Sequence, residues 1–213
     1  MPARGDHDAR RRDVSEAVWR VLADRGFGGL TLRAVAAEMG ASTGLLTHYF
    51  PNKKALVTYA LDVADERTAN RRVSGVQLEG RPAEGSAGGP TEGLAALRSA
   101  LLAVLPLTAD SADMNRIWVS SWDGALADSE LAVRERKRYQ QWRERLRPHV
   151  AAAVERGELP LRGSSDVDDV VVSVAAFTHG LVVQALFDPE RFPPGRQIEI
   201  LDAFLASLSG DDC

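Results

Sequence analysis

Ser42, Thr43, Thr47 and His48 set three hydroxyls and an imidazole within seven residues, in a stretch that opens Gly40-Ala41-Ser42-Thr43-Gly44. Two chemistries use so dense a set of small polar groups. One is nucleophilic attack: G-x-S-x-G is the elbow pattern of hydrolases, with Ser42 as nucleophile and one of His7, His48, His149 or His179 as its base. The elbow needs a strand before the serine, however, and the preceding Leu32–Met39 repeats its apolar residues at helical spacing. The second chemistry is hydrogen bonding to base edges in a DNA groove, which needs small residues that approach closely and both donate and accept.

The elements that would position these groups can be read from spacing. Leu32, Val35, Ala36 and Met39 fall at offsets of zero, three, four and seven, one face of a short helix with Thr31 as N-cap and Gly40 as its end. Ser42 or Thr43 can cap a second helix of about two turns, and two helices joined by a tight glycine turn form a helix-turn-helix. In that second helix Leu46 and Phe50 point inward. Gly44, Thr47 and His48 then face outward, with Thr43 at the tip and Tyr49 on the flank. Pro51 disfavours helix at Phe50, and Asn52 can cap a third helix that opens with Lys53 and Lys54. Lysines in a first turn run against the helix dipole unless an external phosphate shares the site. Solvated lysines and a polar loop account for any one feature, but their coincidence within about 25 residues favours DNA. The expected contacts are Ser42, Thr43, Gly44, Thr47 and His48 toward the major groove and Tyr49 and Lys53 on phosphates, with Arg33 able to serve either way.

Leu30 to Leu56, and STGLLTHYF followed by NK above all, resembles the DNA-binding domain of the tetracycline-repressor (TetR) family, in its betaine-regulator (BetI-like) branch. The resemblance implies an all-α chain in two parts, a homodimer that reads an inverted-repeat operator, and a body that senses a small molecule. GLVVQALFDPERF is also similar to the body of that branch, with His179 standing before Gly180 where the branch often has an acid. The role of that acid is therefore not carried over.

Composition sets the bounds. The 213 residues are 45% hydrophobic and 26% charged, enough for a sizeable core in one or two domains and unlike a disordered or fibrous chain. MPARGDHDARRR has no apolar export region, and no uninterrupted apolar run approaches a membrane span, so the expected location is the cytoplasm, without membrane partners. The one cysteine, Cys213, allows no intrachain disulfide. The four histidines lack metal-ligand spacing, and no phosphate or dinucleotide fingerprint occurs. No catalysis, metal or cofactor is expected. The net charge of −4 divides into +3 over residues 1–60 and −7 beyond, a basic reading head on an acidic body.

Along the chain, Arg4, Arg10, Arg11 and Arg12 precede a first helix carrying Val14, Val18, Val21 and Leu22; they form either a basic arm or a solvated terminus. A strut runs from about Asn52 to about Arg72, and the glycine- and proline-rich 74–93 reads as a loop. Further helices are expected near 91–106, 111–126, 129–156, 166–187 and 194–209. The arginines of the third of these are read as a solvated outer face. The 166–187 helix is apolar nearly all round, and the last helix carries Ile198, Leu201, Leu205 and Leu208 on one stripe, so the two are expected to meet their symmetry mates in a four-helix bundle. Trp118, Trp122, Tyr139, Trp142, Phe177 and His179 are candidates to line a cavity. Rings of plain core are the commoner outcome, and choline-like cations are what the resemblance implies for a ligand. The reading is thus a DNA-binding domain over 1–50, linked by the helix from about 52, and a ligand-binding and dimerising domain over 51–213. It describes a ligand-responsive repressor that is not an enzyme, with an effector the sequence does not name. The alternative is a helical interaction or small-molecule module that does not read DNA, and salt-dependent DNA binding separates the two.

Overall fold

A computed structural model describes residues 4–73, 92–161 and 165–210, with side chains described from residue 11 and, in the first span, up to residue 68. The regular elements among the described residues are all helices, as expected: α1 (Arg4–Arg25), α2 (Leu32–Glu38), α3 (Thr43–Thr47), α4 (Lys53–Val73), α5 (Gly93–Leu102), α6 (Ala109–Ala127), α7 (Ser129–Glu155), α8 (Val167–Phe187) and α9 (Pro194–Ser209). They fall into two compact units, Met1–Gln77 with Arg116–Gly124, and Leu78–Asn115 with Ala125–Cys213. Most of the expected 74–93 loop, and Cys213, lie outside the described residues.

In the first unit α1 buries Val14, Ala17, Val18, Val21 and Leu22, packing on α2 and α4. The helix begins at Arg4, so the four arginines belong to its first turns and do not precede it. No breaker separates them from the apolar stripe, which explains why the helix runs on. At the rim of this packing, Arg67 of α4 pairs with Glu16 and lies 4.6 Å over the Trp19 ring, and Arg20 reaches Glu38 of α2 at 2.6 Å. Such exposed pairs add little beyond the apolar contacts they border. The stretch of α6 assigned to this unit brings Ile117 and Trp118 into burial. Trp118 donates to Thr68 Oγ1 at 3.2 Å, and Ser120 accepts from the Phe27 amide at 3.1 Å. The chain approaches Ser120 so closely that a Cβ on Gly26, which sits at φ +59°, would lie 2.9 Å from the serine side chain.

The core of the second unit is Leu97, Leu101, Leu105, Trp142, Leu146, Val150, Val174, Leu181, Leu201 and Leu205 with their neighbours. α5 ends at Leu102, short of the expected 106, because Val104 and Leu105 bond three residues back and Pro106 disfavours helix before it. Asp128 caps α7, Asp166 and Asp169 form a reciprocal capping box at the start of α8, and Arg98 clamps Asp202 with two bonds of 2.5 and 2.8 Å between α5 and α9. By length and a mean hydropathy of 2.0, α8 is long and apolar enough to cross a bilayer. This corrects the expectation drawn from uninterrupted runs, since scattered polar residues hide the average. Its acidic first turn and its Val171, Val174, Ala175, Leu181 and Val182, buried within the core, are features of a bundle helix. Only about two fifths of α8 is buried, 39% of its apolar window. The face bearing Val172, Ala176, Gly180, Gln184 and Phe187 is left outward.

Candidate nucleic-acid interface

α2 forms where Thr31, in an extended conformation, accepts the Ala34 amide at 3.0 Å and so satisfies one of the donors a helix start leaves open. Val35 and Ala36 are buried. Gly40 ends the helix at φ +61°, a conformation that costs a residue with a Cβ roughly 1–2 kcal/mol. Ser42 is the residue before α3, but its side chain makes no capping bond and is exposed. The Gly40–Gly44 pattern therefore lies between two helices. The strand that an elbow requires before its nucleophile is a helix here, and Ser42 is no candidate for one.

α3 is held from beneath by Leu46, fully buried, and Phe50, 5% exposed. The Phe50 ring lies 5.2 Å from that of Tyr59 on α4. Tyr59 in turn donates to the Arg11 carbonyl at 3.4 Å, and burial raises its pKa above the usual phenol value. With its inner face fixed, α3 turns Thr43, Gly44 and Thr47 outward, with His48 at its C-cap. All four are exposed, as are Ser42 and, on α2, Arg33. Tyr49 is half-buried on the flank, its ring 6.5 Å from Phe50. Asn52 Oδ1 accepts the Ala55 amide at 2.8 Å and starts α4, whose first turn exposes Lys53 and Lys54.

One detail sharpens the chemistry of this face. The Thr47 hydroxyl donates to the Gly44 carbonyl at 2.8 Å. Its proton is spent within the helix, so toward a base edge it offers acceptor lone pairs and a methyl group. Ser120, by contrast, carries no signal in the sequence: a lone serine at a helical position, it seats the turn after α1 only through a tertiary contact.

The six aromatic candidates do not fall together. Trp118 and Trp122 sit on the stretch of α6 assigned to the first unit, and the Trp122 Nε1 is buried without a hydrogen-bond partner. In the second unit Tyr139 meets His179 edge-on at 5.1 Å, and Trp142 lies 6.4 Å from the same imidazole. Phe177 instead stacks on Phe204 of α9 at 3.7 Å. Arg138 lies 4.9 Å over Tyr139 and Arg145 5.6 Å over Trp142. Burial first, then the Arg138 charge, lower the His179 pKa to about 4, with Glu135 opposing. A separate cavity of about 320 Å³ between α7 and α8 is lined by Arg143, Arg147, Asp168 and Val172 among others, and by none of the six aromatic candidates. No group of three or more metal-ligating side chains occurs among the described residues.

Residues 15–60 match the model of the tetR family of bacterial regulatory proteins, and residues 93–210 match that of the C-terminal part of BetI-type transcriptional repressors. Among curated relatives, the chain is 39% identical over 71 residues to the HTH-type transcriptional regulator PksA of Bacillus subtilis, covering 33% of this chain and 35% of that protein. It is 29% identical over 131 residues to the HTH-type transcriptional regulator BetI of Burkholderia thailandensis, covering 62% of each. These alignments span less than two thirds of the relatives' own length. Among solved structures, a protein from Saccharomonospora viridis described as a transcriptional regulator, in complex with choline, matches with a TM-score of 0.74 at 20% identity, over 93% of this chain and 96% of that one. A Rhodococcus protein described as a TetR-family regulator matches at 0.72 and 21% identity, over 94% and 99%. At such identities these structures establish the fold alone.

Proposed function

This chain belongs to the tetR family of bacterial regulatory proteins, and on that premise we propose that it is a homodimeric repressor released from an inverted-repeat operator by a small molecule. The observation that carries this reading is the outward face of α3. Over buried Leu46 and Phe50, the exposed Thr43, Gly44, Thr47 and His48 stand beside Arg33 and Lys53, a surface fit for base edges flanked by cations fit for phosphates. Residues 1–50 are the reader and 51–213 the sensing and dimerising body. Two copies related by a twofold axis would set their α3 helices about 34 Å apart, one turn of DNA. A ligand that prefers another spacing shifts the population away from DNA. The reading needs no catalytic step.

The dimer reading rests on the outward face of α8, apolar yet uncovered in one protomer. The residues that test it differ from those the α9 stripe alone picks out. Leu205 is 4% exposed within its own core and Leu208 packs against that core, so a charge there unfolds the protomer as readily as it separates two. Val172→Asp with Ala176→Asp addresses the outward face. Sedimentation of this variant as a folded monomer supports the interface, and a wild-type chain that is monomeric at micromolar concentration overturns it.

The likeness to BetI-type repressors and to the choline-bound structure places a quaternary ammonium first among effectors by analogy. The deciding experiment for the function is a titration of duplexes from the gene's own upstream region against a scrambled duplex across salt concentrations. Sequence-selective, salt-dependent binding supports a DNA reader. Absence of binding at low salt leaves a helical module that binds small molecules or proteins.

A further inference from the structure

We propose that the cluster of Tyr139, Trp142 and His179 takes a small carboxylate ligand and not a quaternary ammonium. This rests on the reading of the second unit as a sensor. Three observations set the sign of the charge.

Trp142 is 8% exposed and its Nε1 is buried without a hydrogen-bond partner. A buried donor left unpaired costs free energy that an incoming acceptor recovers, and a quaternary ammonium has no acceptor to give. The ring faces are also occupied. Recognition of a quaternary ammonium needs open aromatic faces, and here the Arg138 and Arg145 guanidinium groups already lie over Tyr139 and Trp142.

The third observation is the lack of a free anion. The carboxylate facing this cluster is that of Glu135, and it is engaged by Arg138, whose Nε donates at 3.1 Å and whose terminal nitrogen makes a second bond. Arg145 has no carboxylate partner among the described residues, and the Arg138 charge lowers its pKa after the larger effect of burial. His179 is kept neutral by burial and by Arg138. The cluster thus offers an indole N–H and a guanidinium as donors, with no free negative charge to compensate a cation. A carboxylate bonded to Trp142 Nε1 and Arg145 answers both, through charge-assisted hydrogen bonds.

The test is by NMR on the full-length, 15N-labelled and deuterated protein, whose four tryptophans give four indole Nε1–H signals; Trp142→Phe assigns the relevant one. Acetate, benzoate and choline chloride are titrated separately, with sodium chloride as control. The expected result is a saturable shift of the Trp142 signal with acetate or benzoate, absent with choline. Its apparent Kd should rise by roughly tenfold or more in Arg145→Gln, which removes a charged partner from the outer edge of the cluster. A Trp142 signal unmoved by both carboxylates overturns the site. A signal that answers to choline overturns the ligand class. Operator binding by the same samples, measured without additives, tests the repressor reading separately, so a chain that binds operator but ignores carboxylates refutes the ligand alone.

Discussion

Replacing Thr47 by valine removes one hydroxyl from the reading face and little else. The residue is exposed, and valine keeps the shape and a methyl group, so the change in stability should stay within about 0.5 kcal/mol. Because the hydroxyl donates to the Gly44 carbonyl, its role toward DNA is that of an acceptor, which in the major groove meets adenine N6 or cytosine N4. One neutral hydrogen bond contributes about 0.5–1.5 kcal/mol, and a dimer loses two, so operator affinity should fall by about 1–3 kcal/mol, roughly 5- to 150-fold. Affinity for a scrambled duplex should stay within about twofold, and the salt slope should not change, since no phosphate contact is lost. Fluorescence anisotropy on both duplexes at matched salt measures this. Thr47→Ser, which keeps the hydroxyl, should retain the base preference. Equal losses on both duplexes, or a preference at the contacted position for guanine, whose major-groove edge only accepts, would refute the argument.

Lys53→Ala should behave in the opposite way, weakening operator and scrambled DNA alike and making the slope of log K against log salt shallower by about one unit, as titrations at several salt concentrations will show. Gly26→Ala should destabilise the first unit. A positive φ costs a Cβ-bearing residue about 1–2 kcal/mol, and the added atom meets Ser120 at 2.9 Å. The expected drop in Tm is roughly 2–8 °C in calorimetry, and adding Ser120→Gly should recover the contact but not the cost of φ. His179 has a folded pKa near 4, below that of an exposed histidine. Between the two values the unfolded chain binds a proton that the folded chain does not, so stability is complete at neutral pH and is lost as pH falls from about 6.5 through 4. His179→Gln should flatten that acid slope by up to about 3 kcal/mol relative to wild type, read from urea melts at stepped pH.

The first quarter of the chain was legible because its signals are local. Thr31, Gly40 and Asn52 act on backbone groups one to four residues away, and the pair Leu46 and Phe50 fixes which way a two-turn helix must roll. The helices of the second unit were legible from apolar period for the same reason, to within a few residues. Their partners were not. Period places Leu201 and Leu205 on a common stripe but cannot say whether that stripe meets its own protomer or a second one, and the structure puts both in the protomer core. Likewise Phe177 and His179 lie two apart on α8 and so point differently. One stacks on Phe204 and the other meets Tyr139, a division that depends on which helix lies on each side. The arginines before Val14 were misplaced because charge alone was taken as the end of a helix, when only a breaker or a cap ends one.

The contact between the Phe27 amide and the Ser120 hydroxyl also supplies a clock. The acceptor for this amide lies 93 residues away in sequence, on α6, so fraying at the end of α1 is not the motion that opens it. In native-state hydrogen exchange its protection factor should therefore follow how often the middle of α6 leaves its seat, while amides inside α1, such as that of Val18, follow deeper unfolding. A compound that tightens the seat would slow exchange at Phe27 by more than it slows exchange at Val18, and one that loosens it would do the reverse. A single amide thus reports on a motion that scattering or circular dichroism would average away.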